Sequence, residues 1–298
     1  MIELGCCAFS FGYLPLDDAL ALVSRLGFRR ADVGAGQVGQ ADAASHPARV
    51  GARLTAAADR AELTLDEFFV CAIDVDGVAV RPSEPDDALR AAALDRFRGL
   101  CACAAAAGFR SIMGIPGTPQ DGTDPDRVWA TAASTLRQMV AIASDHGIQL
   151  HVEPHAASIV SRPAAALQLA AEVPGLLYTL DYAHHMGLRI PQEDVAQLHA
   201  VTGHLHAKPA RPGYAKCFAH HNTIDFAAII ADLSRRDWTG TVALECIGHL
   251  DPRTGRPTCT EIPADVTARA ITGDPPDDLM AHPVAQTMRL TYDLVSCV

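Results

Sequence analysis

The stretch "DHGIQLHVEPH", residues 145–155, contains the junction that decides how the chain folds. An alanine-rich helical pattern runs up to it, and Gly147 is the residue type that commonly ends a helix. The short apolar run that follows predicts a buried strand, which finishes on Glu153 with His151 and His155 two positions to either side. A buried carboxylate is costly unless a cation lies against it. This helix-to-strand unit therefore also predicts a positively charged partner.

The same unit recurs along the whole chain, because short apolar runs alternate with longer amphipathic stretches. The runs predict strands at Ile2–Phe9, Arg30–Gly34, Thr64–Ile73, Ser111–Pro116, Gln149–Glu153, Leu177–Asp181, Gly203–Ala207 and Thr241–Cys246. The helical patterns lie near 16–27, 47–61, 86–107, 124–146, 163–172, 191–199, 225–235 and 281–296. Eight strands alternating with eight helices predict an α/β fold, the (β/α)₈ TIM barrel. A doubly wound open sheet is the alternative, but no GxGxxG follows the first strand.

The 298 residues contain no Ser/Gly-rich linker, so we predict a single barrel domain over 1–298. One segment departs from the regular pattern. Residues 248–278 form a long Pro/Gly-rich insertion between the eighth strand and the last helix. Loops of this length are uncommon unless they have a function, and this one is a candidate for selecting the substrate.

The bulk composition excludes several partners. A formal charge of −11 and a pI of about 5.5 argue against nucleic acid and favour small molecules. The first residues predict no signal peptide, and no apolar run reaches the roughly 20 residues that span a bilayer, so no membrane is expected. The nine cysteines are scattered without a CxxC, which is typical of core thiols in a reducing compartment. We therefore expect a cytoplasmic protein, and assembly into a homo-oligomer is left open by the sequence.

Four consecutive strands each end on a side chain that can bind a metal, namely Glu153, Asp181, His206 and Glu245. In a parallel barrel these ends meet at one opening, where catalytic groups are found. Three carboxylates and one imidazole would repel one another unless a divalent cation neutralised them. An oxygen-rich set with one nitrogen favours Mn²⁺ or Mg²⁺, with Co²⁺ or Zn²⁺ as alternatives. The alternative interpretation is four ordinary polar residues at strand ends.

These strand ends resemble a known family. "HVEPH", "LDYAHH", "GHLHAK" and "ALECI" are similar to the motifs of the sugar phosphate isomerase/epimerase superfamily, the xylose-isomerase-like TIM barrels. The likeness follows most of the chain in strand order, and its specific part is confined to 149–246. It implies one divalent metal ion held by Glu153, Asp181, His206 and Glu245. The family's Asp-x-x-His motif matches Asp181 and His184, and implies that His184 contacts a substrate oxygen.

Two departures from the motifs of this superfamily leave open which reaction the chain catalyses. Ketose 3-epimerases carry an arginine six residues after the metal-binding histidine, where this chain has Pro212, with Arg211 beside it and Lys208 closer. Endonuclease IV enzymes of the same superfamily use further His and Glu ligands and a basic DNA-binding face. The net charge of this chain argues against that branch.

A metal at this opening would polarise a substrate carbonyl and lower the pKa of the neighbouring C–H. Glu153 and Glu245 are the candidate acid/base groups, although both could serve as ligands alone. His155 is a candidate base or hydrogen-bond donor, with an indirect role as the alternative. Lys208 and Arg211 are candidate substrate-binding residues, against the alternatives of a solvated lysine and an ordinary polar loop.

The sequence therefore predicts a divalent-metal-dependent isomerase or epimerase that acts on a keto-sugar or sugar derivative through a metal-stabilised enediolate. A lyase, either a dehydratase or a keto-glycoside-cleaving enzyme, would use the same intermediate. A non-catalytic sugar-binding partner subunit on the same scaffold is a third possibility. The residues distinguish neither the sugar nor the fate of the enediolate.

Overall fold

The computed structural model describes residues 1–70, 79–263, 282–295 and 297. Eight parallel strands close into a barrel in the order β1-β2-β3-β4-β5-β6-β7-β9, so the predicted (β/α)₈ TIM barrel is confirmed. The barrel strands are β1 (Ile2–Cys7), β2 (Arg30–Gly34), β3 (Thr64–Phe69), β4 (Ser111–Gly114), β5 (Gln149–Val152), β6 (Leu177–Asp181), β7 (Thr202–Ala207) and β9 (Gly240–Leu244).

Helices surround the barrel at most of the predicted places. They are α1 (Leu16–Arg25), α2 (Gln40–Ser45), α3 (Pro47–Ala61), α4 (Asp87–Ala107), α5 (Pro125–Asp145), α6 (Pro163–Glu172), α7 (Tyr182–Gly187), α8 (Gln192–Val195), α9 (Phe226–Arg235) and α10 (Pro283–Val295). The short helices α2 and α7 were not predicted, because six residues are too few to show helical periodicity. The pattern at 191–199 forms α8 followed by a 3₁₀ segment, Ala196–Val201.

Several strands are shorter than their apolar runs. The first ends at Cys7 because Ala8–Phe11 turn into a 3₁₀ helix. The predicted end of the third run, 71–73, lies outside the described residues, as do 281 and 296 at the ends of the last predicted helix. Glu153 and Glu245 fall just beyond β5 and β9. They still belong to the barrel rim, because their backbone N–H groups donate to Gly114 O at 2.9 Å and to Ala207 O at 3.0 Å.

Alternation along the strands separates an apolar shell from a polar interior. Leu150, Val152, Leu180, Leu205 and Leu244 are almost fully buried and belong to the core shared with the surrounding helices. Their sequence neighbours point the other way, into the barrel. The strand register places Asp181 beside His206, and His206 beside Ala243. Asp181 and His206 are therefore direct neighbours, and Glu245 lies two residues beyond Ala243 on the same face of its strand.

The insertion after β9 adds small strands over the C-terminal end of the barrel. β10 (His249–Leu250) pairs with β11 (Pro257–Thr258), and β12 (Ile262–Pro263) pairs with β8 (Tyr214–Lys216) in the loop after β7. Residues 264–278 of the predicted insertion lie outside the described part of the chain. Within the described residues, no helix is long and apolar enough to cross a membrane.

Candidate active site

Three of the four predicted ligands form one cluster at the C-terminal opening of the barrel. His206 Nδ1 lies 3.0 Å from Glu245 Oε2 and 3.7 Å from Glu153 Oε1. The three residues are buried, and one ligand atom from each lies within 4.8 Å of the others. The barrel thus brings together side chains that are up to 92 positions apart, because each follows its own strand to the same rim.

Asp181, the fourth predicted ligand, faces the same opening but contacts a lysine. Its Oδ2 lies 2.5 Å from Lys208 Nζ and 3.5 Å from His184 Nε2, while Oδ1 accepts a hydrogen bond from the backbone of Ala183. Lys208 Nζ also lies 3.3 Å from Glu245 Oε1, so the ammonium connects Asp181 to the cluster. Burial raises the pKa of Asp181 to about 7, even though the charge of Lys208 lowers it.

The donor set fits a divalent cation. Both ring nitrogens of His206 are buried, and neither has a hydrogen-bond partner within the described part of the chain. Such atoms are rare in proteins unless they bind a ligand. Burial would raise the pKa of Glu153 and of Glu245. Nevertheless, His184 holds the pKa of Glu153 well below its usual value. Lys208 and His206 hold the pKa of Glu245 at about 2. Ionised carboxylates around one imidazole are the ligands that Mn²⁺ and Mg²⁺ accept.

Two histidines stand beside this cluster with their rings close together. The centroids of His155 and His184 are 4.0 Å apart, and His184 Nε2 lies 3.4 Å from Glu153 Oε2. Burial lowers the pKa of His184 to about 3 and lowers that of His155 below its ordinary value. Both imidazoles are therefore neutral near pH 7. A neutral imidazole can donate one hydrogen bond and accept another, which suits contacts with sugar hydroxyls.

Lys208 and Arg211 have different surroundings. Lys208 is buried at 6% exposure, which rules out the solvated lysine that the sequence left open. Burial disfavours its charge, but Asp181 and Glu245 raise its pKa above that of an ordinary lysine. Arg211 contacts the insertion instead, since it pairs with Glu261 at 3.1 Å and its guanidinium lies over the Tyr214 ring. Its substrate-binding role stays a prediction.

A second polar layer lies beneath the cluster, and two of its carboxylates, those of Asp32 and Glu67, were not predicted from the sequence. Asp32 Oδ2 lies 2.9 Å from His204 Nε2 and 3.5 Å from His206 Nε2. Glu67 contacts His151 Nδ1 at 2.6 Å and accepts hydrogen bonds from two hydroxyl groups, those of Ser111 and Thr179. The sequence feature that could have identified Asp32 and Glu67 is an acidic residue within an apolar strand run, in "RADVG" and in "LDEFF".

The chain matches the family of xylose isomerase-like TIM barrels over residues 20–263. Comparison with curated protein sequences gave no match. Similar solved structures include D-psicose 3-epimerase in the presence of D-fructose, with a TM-score of 0.72, 16% identity, and coverage of 99% of this chain and 97% of that one.

Two further structures in this group carry other activities. The 3-keto-D-glucoside 4-epimerase YcjR from E. coli has a TM-score of 0.64 and 16% identity, over 85% of this chain and 95% of that one. The probable 3-DHS dehydratase AsbF from Bacillus anthracis has a TM-score of 0.63 and 14% identity, over 80% of this chain and 92% of that one. At these identities the likeness shows a common barrel fold.

Proposed function

We propose that this chain, which belongs to the xylose isomerase-like TIM barrel family, is a divalent-metal-dependent isomerase or epimerase of a keto-sugar or sugar derivative. The observation that carries the proposal is the cluster of Glu153, His206 and Glu245, in which two ionised carboxylates flank a buried imidazole without a hydrogen-bond partner among the described residues. Family membership agrees with the resemblance of the strand ends.

The residues that would hold the ion are Glu153, Asp181, His206 and Glu245. His206 would bind through Nδ1, because that nitrogen faces the two glutamates while Nε2 faces the floor of the barrel. Mn²⁺ or Mg²⁺ is the expected ion, with Co²⁺ or Zn²⁺ as alternatives. When bound, such an ion polarises a substrate carbonyl and acidifies the adjacent C–H.

Glu153 and Glu245 are the proposed acid/base pair. One carboxylate takes the proton from the carbon next to the carbonyl and becomes a carboxylic acid, and the C–H electrons pass into the carbonyl to give an enediolate. Return of a proton to the same carbon from the other face epimerises the sugar, and return to the neighbouring carbon isomerises it. His155, whose imidazole is neutral, is the alternative base.

Lys208 and His184 are the proposed contacts for substrate oxygens. Their nitrogens lie 3.2 Å apart, so one oxygen could contact both. Lys208 keeps its charge because Asp181 and Glu245 stabilise the ammonium, and it can donate a hydrogen bond to developing negative charge on oxygen. Neutral His184 can orient a neighbouring hydroxyl.

Deuterium exchange tests this proposal directly. The Mn²⁺-loaded protein is incubated in D₂O with free, phosphorylated and glycosidic keto-sugars, and loss of a C–H signal is followed by NMR. We expect exchange into at least one sugar, and a loss of about 10²–10⁴ in rate for Glu153→Gln and Glu245→Gln. Glu193→Gln, at an exposed position on α8, is the matched control and should retain the full rate.

The products separate the related activities. A new ketose or aldose indicates epimerisation or isomerisation, whereas an absorbing enone indicates elimination and therefore a lyase. Sugar binding without exchange, in protein shown to hold its metal, would contradict the catalytic proposal and favour a sugar-binding subunit.

A further inference from the structure

A second buried lysine, Lys216, lies at the same end of the barrel. It is only 6% exposed and belongs to β8, where it pairs with Ile262 of the insertion. Its ammonium donates a hydrogen bond to the backbone carbonyl of Ile247. The insertion therefore fixes the backbone position from which this lysine extends.

Within the described residues, Lys216 has no counterpart to the anionic partners of Lys208. In the ranges 1–70, 79–263 and 282–295, no carboxylate lies within ion-pair distance of Lys216 Nζ, whereas Lys208 has two such partners. An ammonium has three N–H donors, and buried lysines are almost always paired. Burial lowers the pKa of Lys216 below that of an ordinary lysine, which is the expected effect when a charge loses its hydration without gaining a counter-ion.

The position of Lys216 links it to the candidate catalytic residues. Ile247, which accepts its hydrogen bond, follows Glu245 by two residues, a separation of at most about 7 Å along the chain. The charges of Glu245 and Lys208 both act on Lys216. The ammonium is thus near the opening where a substrate would enter.

The charges of the proposed metal ligands and of Lys208 balance without Lys216. Glu153, Asp181 and Glu245 would supply three negative charges, and Lys208 together with a divalent ion would supply three positive ones. Among the described residues, no carboxylate at ion-pair distance compensates the charge of Lys216. A ligand that carries its own negative charge would compensate it.

We propose that Lys216 binds an anionic substituent of the substrate, a carboxylate or a phosphate, so that the enzyme acts on an acidic keto-sugar derivative. This inference rests on the proposed function for its substrate class. The recognition is a charge-assisted hydrogen bond from the ammonium, at a site arranged by the pairing of β8 with β12.

Sulfate, as a probe, tests the site without turnover. Calorimetry on the Mn²⁺-loaded protein at pH 7 and constant ionic strength should show saturable sulfate binding to the wild type, about tenfold or more weaker binding to Lys216→Met, and recovery in Lys216→Arg. Arg235→Met is the matched control, because Arg235 on α9 has a carboxylate partner in Asp232, and it should bind sulfate like the wild type. Equal binding by the wild type and Lys216→Met, or no saturable binding to the wild type, would overturn the proposal.

A second measurement identifies the anion. Metal-loaded wild type is titrated with D-fructose, its 6-phosphate and a six-carbon keto-acid sugar, and thermal unfolding of each variant checks the fold. We expect an acidic sugar to bind more tightly than the neutral one and the preference to vanish in Lys216→Met. Tightest binding of the neutral sugar would refute the anion site. If the neutral sugar still exchanges deuterium, the proposed isomerase or epimerase function is retained even though the anion site is refuted. Failure of the anion site can therefore be told apart from failure of the proposed function.

Discussion

His206 Nε2 lies 3.5 Å from Asp32 Oδ2, on the side of the imidazole opposite the two glutamates. Asp32 is held in place from several directions. It pairs with His204, accepts a hydrogen bond from the backbone N–H of Glu67, and lies 3.6 Å from Cys7 Sγ. A carboxylate in this position favours the proton on Nε2 and leaves the Nδ1 lone pair facing Glu153 and Glu245.

Replacing Asp32 should therefore weaken metal binding. We expect Asp32→Asn to raise the Kd for Mn²⁺ by about 10- to 100-fold, the usual effect of removing a carboxylate that orients a metal-binding histidine. Glu67→Gln is the control from the same buried layer, since Glu67 lies 3.9 Å from His206 Nε2 and contacts His151 instead. Titration calorimetry measures both constants. Equal effects of the two substitutions on the Kd would contradict a specific orienting role for Asp32.

Metal affinity should rise with pH. Burial raises the pKa of Asp181 to about 7, and burial lowers the pKa of His206 but Cys7, Asp32 and Glu153 together hold it well above its usual value. A group with a raised pKa is protonated below that pKa, and a proton competes with the metal for the ligand. Affinity should therefore fall throughout the range from pH 8 down to pH 5, by up to about tenfold per pH unit for each proton displaced. A Kd that stays constant from pH 8 to pH 5 would contradict this ligand set.

Replacing Lys208 should change metal affinity and the rate of deuterium exchange in different ways. Replacement by methionine removes a cation that contacts Asp181 and Glu245, so both carboxylates become freer to bind a metal ion. We expect Lys208→Met to bind Mn²⁺ at least as tightly as the wild type while deuterium exchange slows by about 10²-fold, the lower bound for losing a group that stabilises charge in the transition state. Weaker metal binding with unchanged exchange would assign Lys208 to the metal site.

The packing of α7 on β8 gives a structural prediction. Gly187 lies so close to Ala215 that a Cβ added there would be 2.9–3.0 Å from Ala215 atoms. Gly187→Ala should lower the free energy of unfolding by about 1–3 kcal/mol, the usual cost of overpacking, and disturb both His184 and Lys216. Gly34→Ala is the control, because an added Cβ would meet only ordinary contacts at that position. Equal denaturant midpoints for the two variants would contradict the close approach.

The strand ends were predictable because period-two apolar runs and their terminal polar residues are local features. Glu153, Asp181, His206 and Glu245 follow such runs, and closure of the barrel brings them to one rim. The pairing of Asp181 with Lys208 was not predicted, because the direction of a long side chain depends on three-dimensional packing.

Other features lack a local signal in the sequence. Asp32 faces the interior because of the register of β2 against β1, where it pairs with Cys7, and register is a property of the assembled sheet. For a related reason, Lys216 was not predicted to be a buried residue of the site. Lys216 lies on β8, which pairs with β12, 46 residues further along the chain, and strands of three and two residues show no periodicity.

The metal content of the purified protein tests the central claim most directly. Elemental analysis after loading with Mn²⁺ and removal of free metal should give one ion per chain in the wild type. His206→Ala should lose that ion, and His46→Ala, at an exposed position outside the barrel, should retain it. Full occupancy in His206→Ala, or no bound metal in the wild type, would contradict a metal-dependent isomerase or epimerase built on this cluster.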